Sequence, residues 1–205
     1  MSIKIKGLLL FFILLLVVSV SAQNKNKDIL AAVQDKYKSI NNLSAGLKQS
    51  LNEQNSFNGK IYYAKGNKLK LELKNSTIIS NGIVLWNYNK SQKKVVINNF
   101  SGSDPSFFEI DNFLYGYPSK SIVTFENENN NNVIVLVPRK ENKLNFKKAK
   151  IMLNQEFLII QLSIENLSGT VTTFQFSNYK LNQNLPESVF SFSPPEGANI
   201  IDLRK

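Results

Sequence analysis

Three carboxylates, Asp104, Glu109 and Asp111, fall within one aromatic stretch, "SDPSFFEIDNFLYGYPSK" (103–120). Paired acids are the minimum equipment for glycoside hydrolysis, one supplying a proton and the other attacking or activating water. No two of these three make a convincing pair, because the residues around them are chiefly apolar. Other reactive groups are missing by type, for the 205 residues contain no histidine and no cysteine. That excludes Ser-His-Asp and Cys-His catalysis, disulfides and thiolate metal sites, and leaves zinc only an unusual all-carboxylate shell. No H-E-x-x-H, G-x-S-x-G, phosphate loop or dinucleotide fingerprint is present. The expectation is a protein that is not an enzyme and uses no metal and no cofactor.

The elements that would position any site begin after a leader. "MSIKIKG" is basic, "LLLFFILLLVV" is an apolar run shorter than the ~20 residues a membrane span needs, and "VSA" ends at Ala22. This is the pattern of a secretory signal peptide over 1–22, followed by a single domain over 23–205. Without cysteine there is no lipid anchor after the leader, so the chain is expected to be soluble in a Gram-negative periplasm. The formal charge of +10 falls to +8 once Lys4 and Lys6 are removed. Lysines alternate with apolar residues, as in "KLKLELK", which describes a solvated sheet face. With export, this argues against nucleic acid as a partner.

One helix opens the domain, with Ile29, Ala32, Val33, Tyr37 and Ile40 on one stripe. Asn26 suits its cap and Asp28 its first turn. From Leu43 the period becomes two. Leu69, Leu71 and Leu73 oppose Lys68, Lys70, Glu72 and Lys74, Asn81-Gly82 gives a tight hairpin signal, and the Trp86 strand follows. Later runs place Leu158, Ile160, Leu162 and Ile164 on one face, then Thr172, Phe174 and Phe176. About ten short antiparallel strands argue for a barrel or a strongly curved sheet. The aromatic stretch, with Phe107, Phe108, Phe113 and Leu114, fits short helix better than strand. It either plugs the open face of the sheet or covers a cavity as a lid. A lone tryptophan in a sheet is usually core packing, which is the plainer reading of Trp86.

Three segments in order resemble the periplasmic outer-membrane lipoprotein carrier family (LolA-like): "FNGKIYYAKGNKLKLEL" (57–73), "IISNGIVLWNYNKSQKKVVI" (78–97) and "LPESVFSFSPPEGANIID" (185–202). The resemblance implies an α+β fold, an incomplete, half-open antiparallel β-barrel with an N-terminal helix and a short helical lid over an apolar cavity. It implies a carrier of acylated lipoproteins that takes cargo from an inner-membrane lipoprotein-releasing ABC transporter and delivers it to an outer-membrane lipoprotein receptor. The receptor of that system has a similar fold but is anchored through a cysteine, so this chain reads as the shuttle, expected to be a monomer. Candidate cavity residues are Ile61, Leu69, Leu71, Leu73, Trp86, Ile160, Leu162, Phe174 and Phe176. Candidate lid residues are Ile29, Val33, Tyr37, Phe107, Phe108, Phe113 and Leu114. Lys65 stands where the family typically has an arginine that latches the lid, although lysine lacks the planar fork of arginine. A carrier or binding protein for another lipid or apolar ligand is the alternative.

Overall fold

The computed structural model describes residues 29–100 and 110–204. The expected leader, the cap candidates Asn26 and Asp28, the acids Asp104 and Glu109, and the lid candidates Phe107 and Phe108 lie outside them. Residues 29–39 form helix α1, and 110–120 form a second helical segment, α2. Within α2 a π-helical turn, Asn112–Gly116, precedes the short α-turn Tyr117–Lys120. The described strands are β1 (Asn42–Leu51), β2 (Gln54–Ala64), β3 (Lys68–Leu73), β4 (Ser76–Asn81), β5 (Val84–Asn89), β6 (Lys94–Asn99), β7 (Ser121–Glu128), β8 (Asn131–Pro138), β9 (Phe146–Leu153), β10 (Ile159–Asn166), β11 (Val171–Leu181) and β12 (Asn199–Asp202).

All twelve belong to one open sheet, in the order β12-β6-β5-β4-β3-β2-β1-β11-β10-β9-β8-β7. The pairings are antiparallel except for β12, which runs parallel to β6. The antiparallel expectation therefore holds apart from this C-terminal addition. β7 and β12 are the two edges, so the barrel is unclosed. The chain leaves β6 near one edge and re-enters the sheet as β7 at the other. It must cross the sheet, and α2 lies on that crossing.

Period-two patterning assigns each strand two faces. On the inner face, Leu43, Leu47, Ile61, Leu69, Leu71, Ile134, Ile151 and Leu162 share one core with Val33, Tyr37 and Ile40 of the α1 stripe and with Ile110, Phe113 and Leu114 of α2. On the outer face, Ile79, Val95 and Ile97 are also buried. There the C-terminal segment covers the sheet: Phe192 stacks 5.6 Å from Tyr88, and Glu187 pairs with Lys68 at 2.7 Å.

Turn chemistry holds the β2–β3 and β4–β5 hairpins together. Asn81 Oδ1 accepts from the backbone N–H of Ile83 (2.9 Å) and Val84 (2.8 Å). Buried Ser80 donates from Oγ to Asn67 O and accepts from Gly82 N–H, each at 3.0 Å. Gly82 has φ +94, and a Cβ there would stand 2.2 Å from Gly66 O. Both the conformation and the space require glycine. Gly82→Val should therefore cost about 3 kcal/mol or more through backbone strain and overlap. Ser80→Ala should cost less, about 1–2 kcal/mol for the buried groups it leaves unpaired. Urea unfolding of the two variants, read at a shared m-value, checks both magnitudes and their order.

Candidate functional site

The inner face can be read in rows across the register. One row runs Ile61, Leu71, Ile78, starting from Ala45 on β1. The next runs Phe176, Leu47, Gly59, Leu73, and beyond it Leu162, Phe174, Gln49, Phe57. Ile61, Leu69, Leu71, Leu162 and Phe176 are buried there, while Leu73 and Phe174 are half-buried against the same core. The sequence-derived cavity set thus lies mostly on one continuous apolar surface.

Two members do not. Trp86 pairs with Ile79 and Ile97, whereas Leu71 pairs with Ile78 and through it aligns with Asn87. Trp86 is therefore on the outer face, opposite to that of Leu69 and Leu71. Ile160 falls at a register shift between Ile159 and Gln161. The β-bulge takes it out of the alternation, and Ile159 is the residue buried in the inner core. Two tyrosines satisfy the backbone of the bulge. Tyr37 of α1 accepts from Ile159 N–H at 3.2 Å, and the Tyr179 hydroxyl donates to Ile159 O. Burial pushes the Tyr37 phenol up to about 12 and raises that of Tyr179 further, so both stay neutral hydrogen-bonding groups.

The helices are joined to the sheet and to each other by a few polar ties. Gln34 Nε2 donates to Leu114 O at 2.7 Å, and the Tyr115 hydroxyl donates to Gln34 O at 2.8 Å, binding α1 to α2. Lys65 donates from Nζ to Asn41 Oδ1 and from its backbone N–H to Asn41 O, both at 3.0 Å. It holds the exit of α1. The tie between sheet and α2 is a different one: Tyr63 donates its hydroxyl to the Asp111 carboxylate, with oxygen distances of 3.2 and 3.3 Å. Sequence patterning carries no signal for this pair, because its partners are far apart in the chain and Tyr63 reads as an ordinary strand aromatic. Burial raises the Asp111 carboxyl above its ordinary value, outweighing the bond from Tyr63, which lowers it. Burial, then the Asp111 charge and hydrogen bond, hold the Tyr63 phenol neutral.

Among the described residues, the roof stops short at the end of the sheet where β1 turns into β2. Leu51 (41% exposed) and Phe57 (46%) lie there at the margin of the apolar rows. Neither stands out in the sequence, because Gln49 interrupts the apolar alternation Leu43, Ala45, Leu47, Leu51. The arrangement is an apolar face packed against α1 and α2, with exposed apolar side chains along one margin among the described residues. It can hold an apolar ligand if the helices yield.

Fold and face together define a class: unclosed barrels with an apolar, helix-roofed interior. The chain belongs to the family described as outer membrane lipoprotein carrier protein LolA, which matches residues 38–193. It is 25% identical over 221 aligned positions to an outer-membrane lipoprotein carrier protein of Francisella tularensis subsp. novicida (strain U112), covering 98% of each chain. It is 23% identical over 202 positions to one of Legionella pneumophila (strain Lens), covering 94% of this chain and 98% of that one. Among solved structures, an uncharacterized conserved protein from Thermus thermophilus shares the fold, with a TM-score of 0.58 at 12% identity over 86% of this chain and 98% of the other.

The Tyr63–Asp111 tie gives a pH dependence opposite to that of most carboxylates. A raised carboxyl means the folded form binds the proton more tightly than the unfolded one. The contribution of Asp111 to stability is therefore largest when it is protonated and falls as pH rises from the ordinary value of 3.8 through the raised one. Asp111→Asn should abolish this slope. Tyr63→Phe should cost about 1–3 kcal/mol at neutral pH, by leaving a half-buried carboxylate without its donor, and less in acid. Urea midpoints measured from about pH 3 to 8, a range spanning the ordinary carboxylate values, test both signs.

Proposed function

We propose that this protein is a periplasmic carrier that shields the acyl chains of lipoproteins and moves them from the inner to the outer membrane. The observation supporting it most directly is the single apolar face that α1 and α2 roof with their own buried side chains. The family, and the names of the matching relatives, support the same reading. In this scheme cargo arrives from an inner-membrane lipoprotein-releasing ABC transporter and leaves to an outer-membrane receptor, with the carrier acting as a soluble monomer. No covalent step is required, and Asp111 of α2 serves position rather than chemistry.

The energetics suit a carrier. About a dozen methylenes moved from water to an apolar surface gain on the order of 10 kcal/mol. Opening the roof exposes side chains such as Val33, Tyr37, Phe113 and Leu114, which are buried in the closed form. At roughly 1.5–3 kcal/mol each, these four oppose ligand entry by roughly 6–12 kcal/mol. For a single such chain, ligand and roof thus compete near balance, so that chain is held without being trapped. Leu51 and Phe57 mark the margin at which a chain enters first.

The test is release of a labelled outer-membrane lipoprotein from spheroplasts into the medium on adding the purified protein. Release should depend on the protein. Leu71→Glu, which places a charge on the acyl path, should lower it by more than about tenfold. Phe57→Ser, at the exposed margin where folding is little affected, should lower it less but measurably. No release, in a preparation where an established carrier works, would sink the shuttle reading. Mass spectrometry of lipids copurifying with the protein would then decide whether it carries another apolar ligand.

A further inference from the structure

The corner where α2 ends and β7 begins combines two features that the ligand-holding face does not use. Ile122 of β7 and Val137 of β8 are cross-strand partners, 55% and 39% exposed, on the outer side of the sheet. Cations flank this apolar pair. Lys120 and Arg139 stand close beside it in the chain, and the Arg139 N–H donates to Lys120 O at 3.1 Å. Lys140 and Lys143 follow in the β8–β9 connection, and Lys147 and Lys148 open β9 next to them. All six cations are exposed, and among the described residues none takes part in an ion pair. Two acids lie among them, Glu141 in the same connection and Glu165 across from Lys148, so the corner keeps a clear positive excess. Glu126, Glu128 and Glu156 are at the opposite end of the same strands.

We infer that this corner docks on the surface of an anionic phospholipid bilayer. The charge complements lipid phosphates, and five of the six cations are lysines, which protein–protein interface cores disfavour and which anionic membrane surfaces attract. The exposed aliphatic pair is of the size that enters the headgroup region without spanning the membrane. The corner adjoins the end of the sheet at which the ligand-holding face is open, since the β1–β2 turn, the β10–β11 turn and the β8–β9 connection share that end: Asn52 N–H donates to Val171 O at 2.8 Å, and Phe146 pairs with Asn166. Docking would therefore bring the open margin to the lipid surface. The inference does not rest on the identity of the cargo, only on this corner.

The experiment is flotation of the processed protein, purified from the periplasm of an expressing host, with vesicles of phosphatidylcholine alone and of phosphatidylcholine with phosphatidylglycerol. Binding should require phosphatidylglycerol and weaken as salt is raised. Each lysine removed should weaken it roughly fivefold, so Lys120→Gln, Lys140→Gln, Lys147→Gln and Lys148→Gln together should reduce it several hundredfold. The control pair Lys60→Gln and Lys180→Gln, on other parts of the sheet, should bind as the unaltered chain does. An acyl-probe binding assay on the same quadruple variant should be unchanged, which separates loss of docking from loss of folding or of carriage. Equal binding to both vesicle types, no binding to the anionic ones, or full binding by the quadruple variant would overturn the inference. In the second case an acidic protein surface becomes the better partner for these cations.

Discussion

An unclosed sheet with an apolar inner face cannot stand alone in water, and most of this structure answers that constraint. A barrel closed on itself would seal its interior with its own strands. Here β7 and β12 are separate edges, so the interior must be covered by something other than strand. The crossing from β6 to β7 brings α2 over that face, and the α1 stripe adds Val33, Tyr37 and Ile40. Cover supplied by helices differs from cover supplied by strands in one respect that matters for function. Helices can move away without breaking the hydrogen-bond ladder of the sheet, because ties such as those of Tyr37 and Asp111 run through side chains.

Those few ties are specific. Tyr37 reaches the bulged backbone at Ile159, Tyr63 reaches Asp111, and Lys65 reaches Asn41. Each amounts to one or two hydrogen bonds, and a hydrogen bond contributes a net of about 1 kcal/mol. The apolar contacts therefore hold the roof down, while the polar ties fix where it sits. Asp111 is the exception, since the effect of its burial outweighs that of its hydrogen bond. A carboxylate kept at the edge of an apolar face makes the closed form slightly less favourable at neutral pH than it would be with a neutral side chain. That lowers the cost of lifting the roof from the sheet.

The outer face is covered by other means. Trp86, Ile79, Val95 and Ile97 would be an exposed apolar patch if the chain ended at β11. The C-terminal segment packs on this side of the sheet, with Phe192 on Tyr88 and Glu187 on Lys68, before adding β12 beside β6. The sheet is thus roofed on one side by helices and partly clad on the other by its own tail.

Much of this is legible in the sequence. The alternation in "KLKLELK" puts Leu69, Leu71 and Leu73 on one face, Asn81-Gly82 turns the chain between two paired strands, and the stripe Ile29, Val33, Tyr37 faces the core. These are local consequences of period and of turn chemistry, which depend on residues within a few positions of one another. The failures at Ile160 and Trp86 have a different origin. A bulge shifts alternation by one residue, and the choice of face for a strand with apolar residues on both sides depends on what packs against each. Neither is encoded locally: Ile159 is selected by tyrosines 122 and 20 positions away, and the outer face that receives Trp86 is the one on which Phe192 and Glu187 of the C-terminal segment pack. The sequence by itself determined that these strands would form and that apolar side chains would need cover. Only the tertiary structure decided which face each covers and which polar pair fastens the roof, because those choices are made by contacts between residues distant in the chain.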